Sequence, residues 1–86
     1  MDWETDELGW KLLFKAVLMR AARDAFLSNV SQKDKQNALE FLTGGRDLDL
    51  ACDIAGVDVE DIKYYMKNLS PNNNTNYKRI LRVVKK

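Results

Sequence analysis

The sequence contains no histidine, one cysteine, one proline and no long apolar run. Without histidine it lacks the commonest general base and the commonest metal ligand. One cysteine can form neither an internal disulfide nor a zinc site, so we expect a reducing, cytoplasmic setting. The carboxylates are dispersed or stand at helix starts, and no phosphate-binding glycine loop is present. We therefore predict that the protein is not an enzyme and holds no metal and no cofactor.

Membrane-directed segments are also missing. No stretch approaches the roughly 20 apolar residues that span a bilayer. The most apolar segment, residues 10–27, is interrupted by five charged side chains. The first residues are acidic, whereas a signal peptide begins with a positively charged region. We expect a cytoplasmic protein with no membrane partner.

The composition of the chain is typical of one small domain, and its charge is unevenly distributed along the sequence. The 86 residues are 45% hydrophobic and 31% charged, which is typical of a globular chain. A core of this size is small, which leaves a homodimer open. Counting acids and bases gives −4 for residues 1–9, +3 for 10–45, −3 for 46–69 and +5 for 70–86, which sums to the net charge of +1.

The first predicted helix covers residues 10–26. This segment is rich in Ala, Leu, Lys and Arg and contains neither Gly nor Pro. Apolar residues occupy much of the circumference of this helix, as in a central helix that packs against neighbours on several sides. A contact between two copies of the chain is the alternative explanation. The two predicted apolar faces of the helix are Trp10, Leu13, Phe14, Val17, Ala21 and Ala25, and Leu12, Ala16, Met19, Ala22 and Phe26.

Capping signals mark the next helices. Ser31 stands three residues before Asp34, which resembles a capping box. The glycine pair at 44–45 would end that second helix, because glycine accepts the backbone conformation of a helix end. Asp47 is predicted to cap a third helix over residues 48–55.

A fourth helix is predicted over residues 58–69 and has the clearest start. Asp58 can cap its free backbone N–H groups, and Asp61 is at the third helical position. Val57 and Ile62 stand where a hydrophobic staple needs them.

Gly56 separates the third and fourth predicted helices by a very short turn. A helix-turn-helix needs small residues where its helices touch, a glycine in the turn and apolar residues around it. Ala51 and Cys52 supply the small contacts, and Ile62 is the buried residue of the second helix. Residues 47–69 are therefore predicted to form a helix-turn-helix-like unit.

This spacing resembles the bacterial and phage helix-turn-helix family. Residues 38–42, Ala-Leu-Glu-Phe-Leu, followed by residues 49–58, Asp-Leu-Ala-Cys-Asp-Ile-Ala-Gly-Val-Asp, also resemble a class of small phage and prophage proteins. In that class an apolar helix precedes a cysteine, two residues, Ala-Gly, an apolar residue and Asp. The chain departs from the class by lacking a proline after Asp58. The resemblance to small phage proteins implies a phage-like origin, and the resemblance to the helix-turn-helix family implies binding to duplex DNA in transcriptional or packaging control.

A DNA-reading helix-turn-helix places its second helix in the major groove. On a helix that starts at residue 58, the outward positions include Lys63, Tyr64 and Lys67. The two lysines are i,i+4 neighbours that could meet phosphates, and the tyrosine could contact the backbone or a thymine methyl.

The start of the same helix argues against this function. Asp58, Glu60 and Asp61 crowd the turn that normally enters the groove, where carboxylates repel phosphate. Capping explains the two aspartates but not Glu60. The alternative function is a phage-encoded, protein-binding inhibitor or adaptor. Its acidic face, formed by these three residues, would dock on a basic site of a host protein.

The last segment is the most basic. Residues 71–76 form a polar linker, and the tail that follows fits a short strand, a last helical turn or a mobile arm. Its bases could contact a phosphate backbone, or they could simply form a charged chain end that is solvated by water. The predicted nucleic-acid-binding residues of the tail are Lys78, Arg79, Arg82, Lys85 and Lys86.

The sequence as a whole predicts an all-α protein, a compact bundle of four helices with a helix-turn-helix-like unit at 47–69 and a basic C-terminal tail. We divide it into an acidic N-terminal segment (1–9), a helical domain (10–69) and a polar linker with the basic tail (70–86). The predicted partner is duplex DNA or, as the alternative, a host protein.

Overall fold

The computed structural model describes residues 3–27 and 29–86, and for residues 3–8 it describes the backbone alone. Within these ranges all regular structure is helical, which confirms the all-α class. The predicted count of four helices is wrong, because the C-terminal segment also forms a helix. The five helices are α1 (Trp3–Phe26), α2 (Gln32–Leu42), α3 (Arg46–Ala55), α4 (Val59–Lys67) and α5 (Asn73–Lys85).

The central helix is α1, against which α2, α3 and α5 all pack. It begins at Trp3, earlier than predicted, and so includes most of the acidic segment, whose residues 1 and 2 lie outside the described residues. The predicted assignment of its apolar faces is wrong in part. Leu18 belongs to neither predicted face yet is fully buried, whereas Trp10, Leu13 and Val17 are exposed. The buried side of α1 lies in its C-terminal half.

The start of α2 follows the prediction and the start of α3 does not. The hydroxyl of Ser31 accepts a hydrogen bond from the backbone N–H of Asp34 at 3.2 Å, as an N-cap does. For α3, Gly45 occupies the N-cap position and provides no side-chain bond. Asp47 therefore does not cap α3. It lies in the first turn, where its negative charge still favours the positive end of the helix dipole.

Gly56 ends α3 in the left-handed backbone conformation, with φ +71° and ψ 32°. Its N–H donates to the carbonyl of Asp53 at 3.3 Å, and the N–H of Val57 donates to the carbonyl of Cys52 at 2.9 Å. These two bonds form a Schellman cap, which favours glycine because a Cβ is strained at positive φ.

The cap predicted for α4 is confirmed, since the carboxylate of Asp58 accepts from the N–H of Glu60 at 3.0 Å. The helix ends at Lys67, slightly earlier than predicted. Only residues 56–58 separate α3 from α4. The α3 helix packs more extensively on α1 than on α4. These contacts do not by themselves define a helix-turn-helix unit, which stays a prediction.

The predicted linker and tail form α5 from Asn73 onward, which corrects the expectation of a strand, a single turn or a mobile arm. The side chain of Asn72 caps it, accepting from the N–H groups of Asn74 at 2.9 Å and Thr75 at 3.3 Å. The helix packs against α1 and α4. Its core-facing residues are Asn76, Ile80, Val83 and Val84.

One core joins all five helices, since each contributes at least one fully buried side chain. No helix in the described part of the chain is both long enough and apolar enough to span a membrane. The largest fully buried residues are Leu18, Leu42, Leu48, Cys52, Ile62, Ile80 and Val84.

Candidate nucleic-acid interface

The α5 helix divides its side chains between the core and solvent. Lys78, Arg82 and Lys85 follow each other at the i, i+4 and i+7 positions and therefore share one side of the helix. Ile80 and Val84 occupy the opposite, buried side. All three basic residues are exposed, and none forms an ion pair with a carboxylate whose side chain is described. We call these three residues the basic face of α5.

The other two bases of the C-terminal segment, Arg79 on α5 and Lys86 directly after it, contact α4 and its C-cap. The guanidinium carbon of Arg79 lies 5.8 Å from the ring centre of Tyr65, and its Nη1 donates to the carbonyl of Asn68 at 3.5 Å. The ammonium of Lys86 lies 3.8 Å from the carboxylate of Asp61. Both bases lie beside the basic face but already have partners within the protein.

The structure separates the residues predicted to face outward on α4. Lys63 is only partly exposed, and its ammonium lies 3.4 Å from the carboxylate of Asp49 on α3. Lys67 is exposed, as is Tyr64, whose ring meets that of Tyr65 edge-on with centroids 5.4 Å apart. The predicted pair of phosphate-binding lysines on α4 is therefore reduced to Lys67, because Lys63 bridges α4 to α3.

A second surface, formed by α3 and the start of α4, is mainly acidic. A shallow groove between α3 and the start of α4 is lined by the exposed Leu50, by one base, Arg46, and by three carboxylates, Asp49, Asp53 and Asp58. Glu60 lies on the adjoining turn and is also exposed. This side would repel a phosphate backbone.

Sequence reasoning missed two arginines of α1. Arg20 and Arg23 line an open cavity of about 470 Å³ together with Tyr77 at the start of α5. Arg20 is largely exposed and only loosely paired with Asp24, at 3.9 Å. Their i,i+3 spacing was visible in the sequence, but their position beside α5 depends on how the helices pack. Asp24 and Asp34 line the same cavity, so the two arginines do not give it a net positive charge.

No family model, curated protein or solved structure matches the chain. The resemblance of residues 38–58 to phage helix-turn-helix proteins therefore stays a prediction. The function has to be argued from the charges and contacts of the chain itself.

Cys52 is the only thiol of the chain and is 1% exposed. Burial, followed by the negative charges of Asp49 and Asp58, raises the pKa of this thiol from 9.0 to about 11, and the opposing effect of Lys63 is smaller. The thiol is protonated at neutral pH and serves as a small packing group between α3 and its neighbours. Among the described side chains, no three acidic or cysteine groups come together as a metal site requires.

The raised pKa predicts that the Cys52 thiol reacts slowly in the folded chain. At about pH 8 the folded chain should react with a thiol-specific reagent at least ~100-fold more slowly than the urea-unfolded chain, because a rise of two units removes that much thiolate. The Cys52 thiol ionises at a lower pH in the unfolded chain than in the folded chain. The stability that the protonated thiol contributes is therefore complete below pH 9 and is lost as the pH rises through about 11. A Cys52→Ala variant should lack this part of the pH dependence. Equal reaction rates in the two states would contradict the burial of the thiol.

Proposed function

We propose that the protein binds duplex DNA through the basic face of α5, with Lys78, Arg82 and Lys85 contacting phosphates. The supporting observation is that these three exposed bases share one side of a helix, in a segment with five bases and no acid. The face extends for about 10 Å along the helix. Successive phosphates rise about 3.4 Å along one strand, so the face can follow roughly three of them.

The proposed contacts go to the DNA backbone and not to base edges. Phosphate contacts fix position and supply affinity, whereas sequence is read by groups that reach the bases. The first turn of α4, which a helix-turn-helix would insert into the groove, carries Asp58, Glu60 and Asp61. We therefore expect weak sequence preference, which favours a packaging or compacting role over recognition of an operator in transcriptional control.

A titration against random duplex DNA at two salt concentrations tests the proposal. If the three bases of the basic face meet phosphates, the logarithm of the affinity should fall with the logarithm of salt with a slope near −2.7. Affinity would then drop about 40-fold between 50 and 200 mM salt. Absence of binding at low salt would contradict the proposal.

A matched pair of variants shows whether α5 makes the contacts. Lys78→Gln with Arg82→Gln removes one lysine and one arginine from the basic face and should weaken binding about 10- to 100-fold. The salt slope should become shallower by about two. Lys33→Gln with Arg46→Gln removes the same charge from exposed positions outside α5 and should change affinity far less. Equal losses in the two variants would indicate a general charge effect.

The acidic groove supports a second candidate function, that of an inhibitor or adaptor that docks on a basic site of a host protein. The supporting observation is that three carboxylates and the exposed Leu50 adjoin one groove. Capture of one stoichiometric partner by the wild-type chain, lost on reversing Asp53 and Glu60 to lysine, would favour this candidate. The same variant should keep or increase its affinity for DNA, so the two functions can be told apart.

A further inference from the structure

The outer side of α1 carries a stripe of large apolar side chains that no other described helix covers. Trp10, Leu13 and Val17 follow each other at helical spacing and are 57%, 52% and 41% exposed. Phe14 adjoins them, with its ring stacked on that of Trp10 at a centroid distance of 6.1 Å, but it is partly buried and also packs against the core. The stripe leads into a groove between α1 and α2 that is lined by Val17 and Phe41. We call Trp10, Leu13, Phe14 and Val17 the α1 stripe.

The α1 stripe is large enough to be the centre of an interface. A large side chain presents about 200 Å² when fully exposed, so its three most exposed members leave roughly 300 Å² of mainly apolar surface in water. Stable interfaces bury about 800 Å² per partner around an apolar core with a polar rim. A helix of 24 residues is about 36 Å long, and its flanking polar residues can supply the rest.

Charge is unevenly distributed along α1, and this distribution bears on which partner can pack on the α1 stripe and in which orientation. Within α1, residues 3–9 carry three acids and no base, or −3, whereas residues 10–26 carry four bases and one acid, or +3. Two parallel copies would align like charges over the whole helix. Two antiparallel copies would align the acidic segment of each with the basic segment of the other, and opposed helix dipoles favour the same arrangement.

We infer that the α1 stripe is a dimer interface in which two copies of α1 pack antiparallel around a two-fold axis near Leu13. Such an interface is isologous, so each copy presents the same stripe to the other. Self-association through α1 does not depend on α5 or on DNA.

The solution mass of the full chain is the first test. At about 50 μM the wild-type chain should have twice the 9.9 kDa mass of one copy, as expected for a dimer with a Kd near 1 μM. Leu13→Glu should raise the Kd at least ~100-fold, because each dimer would bury two carboxylates near the axis. Leu12→Glu is the matched control, because Leu12 is 58% exposed on a different side of α1 and the variant should stay dimeric. Both variants should keep the wild-type circular dichroism. Leu12→Glu should keep the wild-type unfolding midpoint, whereas Leu13→Glu should match the midpoint of the wild-type chain at concentrations where that chain is monomeric.

Cysteine cross-linking is the test of orientation, performed in a Cys52→Ala background. Leu13→Cys should cross-link to its own copy, since a disulfide needs Cα atoms within about 7 Å. Asp24→Cys should not, because eleven residues on each side of the axis separate the two copies of this position by about 33 Å. Cross-linking at both positions would indicate parallel helices and overturn the inference.

Two other outcomes would also overturn it. One is a monomer at every concentration, including a monomer that binds lipid vesicles through the stripe. The other is a dimer that Leu13→Glu leaves intact. Because mass is measured without DNA, either result leaves the proposed function standing. Conversely, monomeric Leu13→Glu should keep the salt-dependent DNA contacts of α5 if that proposal is correct.

Discussion

Deleting residues 77–86 is expected to unfold the protein. The deletion removes three side chains from the core, Ile80, Val83 and Val84, which are 1%, 6% and 0% exposed. Burying each of them contributes about 1.5–3 kcal/mol, or roughly 5–9 kcal/mol together. A domain of this length is stable by only about 4–13 kcal/mol. We expect the truncated chain to lose its cooperative urea transition and much of its far-UV circular dichroism.

The glutamine variants of the basic face provide the control for this deletion. Lys78→Gln with Arg82→Gln leaves the buried side of α5 intact, so its urea midpoint should match the wild type. A truncated chain that still unfolded cooperatively near the wild-type midpoint would contradict the packing of α5 in the core. Loss of DNA binding on truncation therefore does not identify phosphate contacts, whereas the substitutions do.

Features set by neighbouring residues could be predicted from the sequence. The N-caps at Ser31 and Asp58 each need one side chain and a backbone N–H two or three residues away. The turn at Gly56 needs one residue that tolerates positive φ. Because these interactions involve few residues close in the chain, residue type and spacing were sufficient to find them.

Features set by packing could not be predicted in the same way. Both sides of α1 are apolar enough to face a core, and only the positions of α2, α3 and α5 determine that Leu18 is buried while Trp10 is exposed. The asparagine run at residues 72–74 is typical of a loop, yet Asn72 caps α5 and the next two asparagines are its first residues. Apolar periodicity alone could not decide whether this segment packs.

The same limit applies to the candidate site. Spacing on α4 correctly placed Lys67 in solvent, but spacing on one helix cannot reveal the carboxylate of Asp49, on another helix, that pairs with Lys63. Likewise the sequence predicts that Lys86 contacts DNA and that Asp61 contacts a host protein, whereas in the structure the two side chains lie 3.8 Å apart as an ion pair. These contacts favour α5, and not the predicted helix-turn-helix-like unit, as the candidate nucleic-acid interface.

Replacing Asn76 with leucine is expected to destabilise the protein by about 3 kcal/mol, because two hydrogen bonds are lost at once. Asn76 is 3% exposed. Its Oδ1 accepts from the N–H of Ser70 at 2.8 Å, and its Nδ2 donates to the carbonyl of Ser70 at 2.9 Å. Leucine fills a similar volume but leaves both backbone groups of Ser70 without these partners, in a partly buried turn. Urea unfolding measures the difference.

Two further variants distinguish these hydrogen bonds from general effects of the asparagine run. Asn74→Leu changes an exposed neighbour on the same helix and should leave the midpoint close to that of the wild type. Asn76→Asp keeps an acceptor for the Ser70 N–H but places a carboxylate against the Ser70 carbonyl. It should destabilise strongly at neutral pH and recover in part at acidic pH, where the protonated group can donate again. If Asn76→Leu were no less stable than Asn74→Leu, apolar packing alone would hold α5 in place. The basic face would then owe its position to Ile80, Val83 and Val84 and not to the bonds of Asn76 with Ser70.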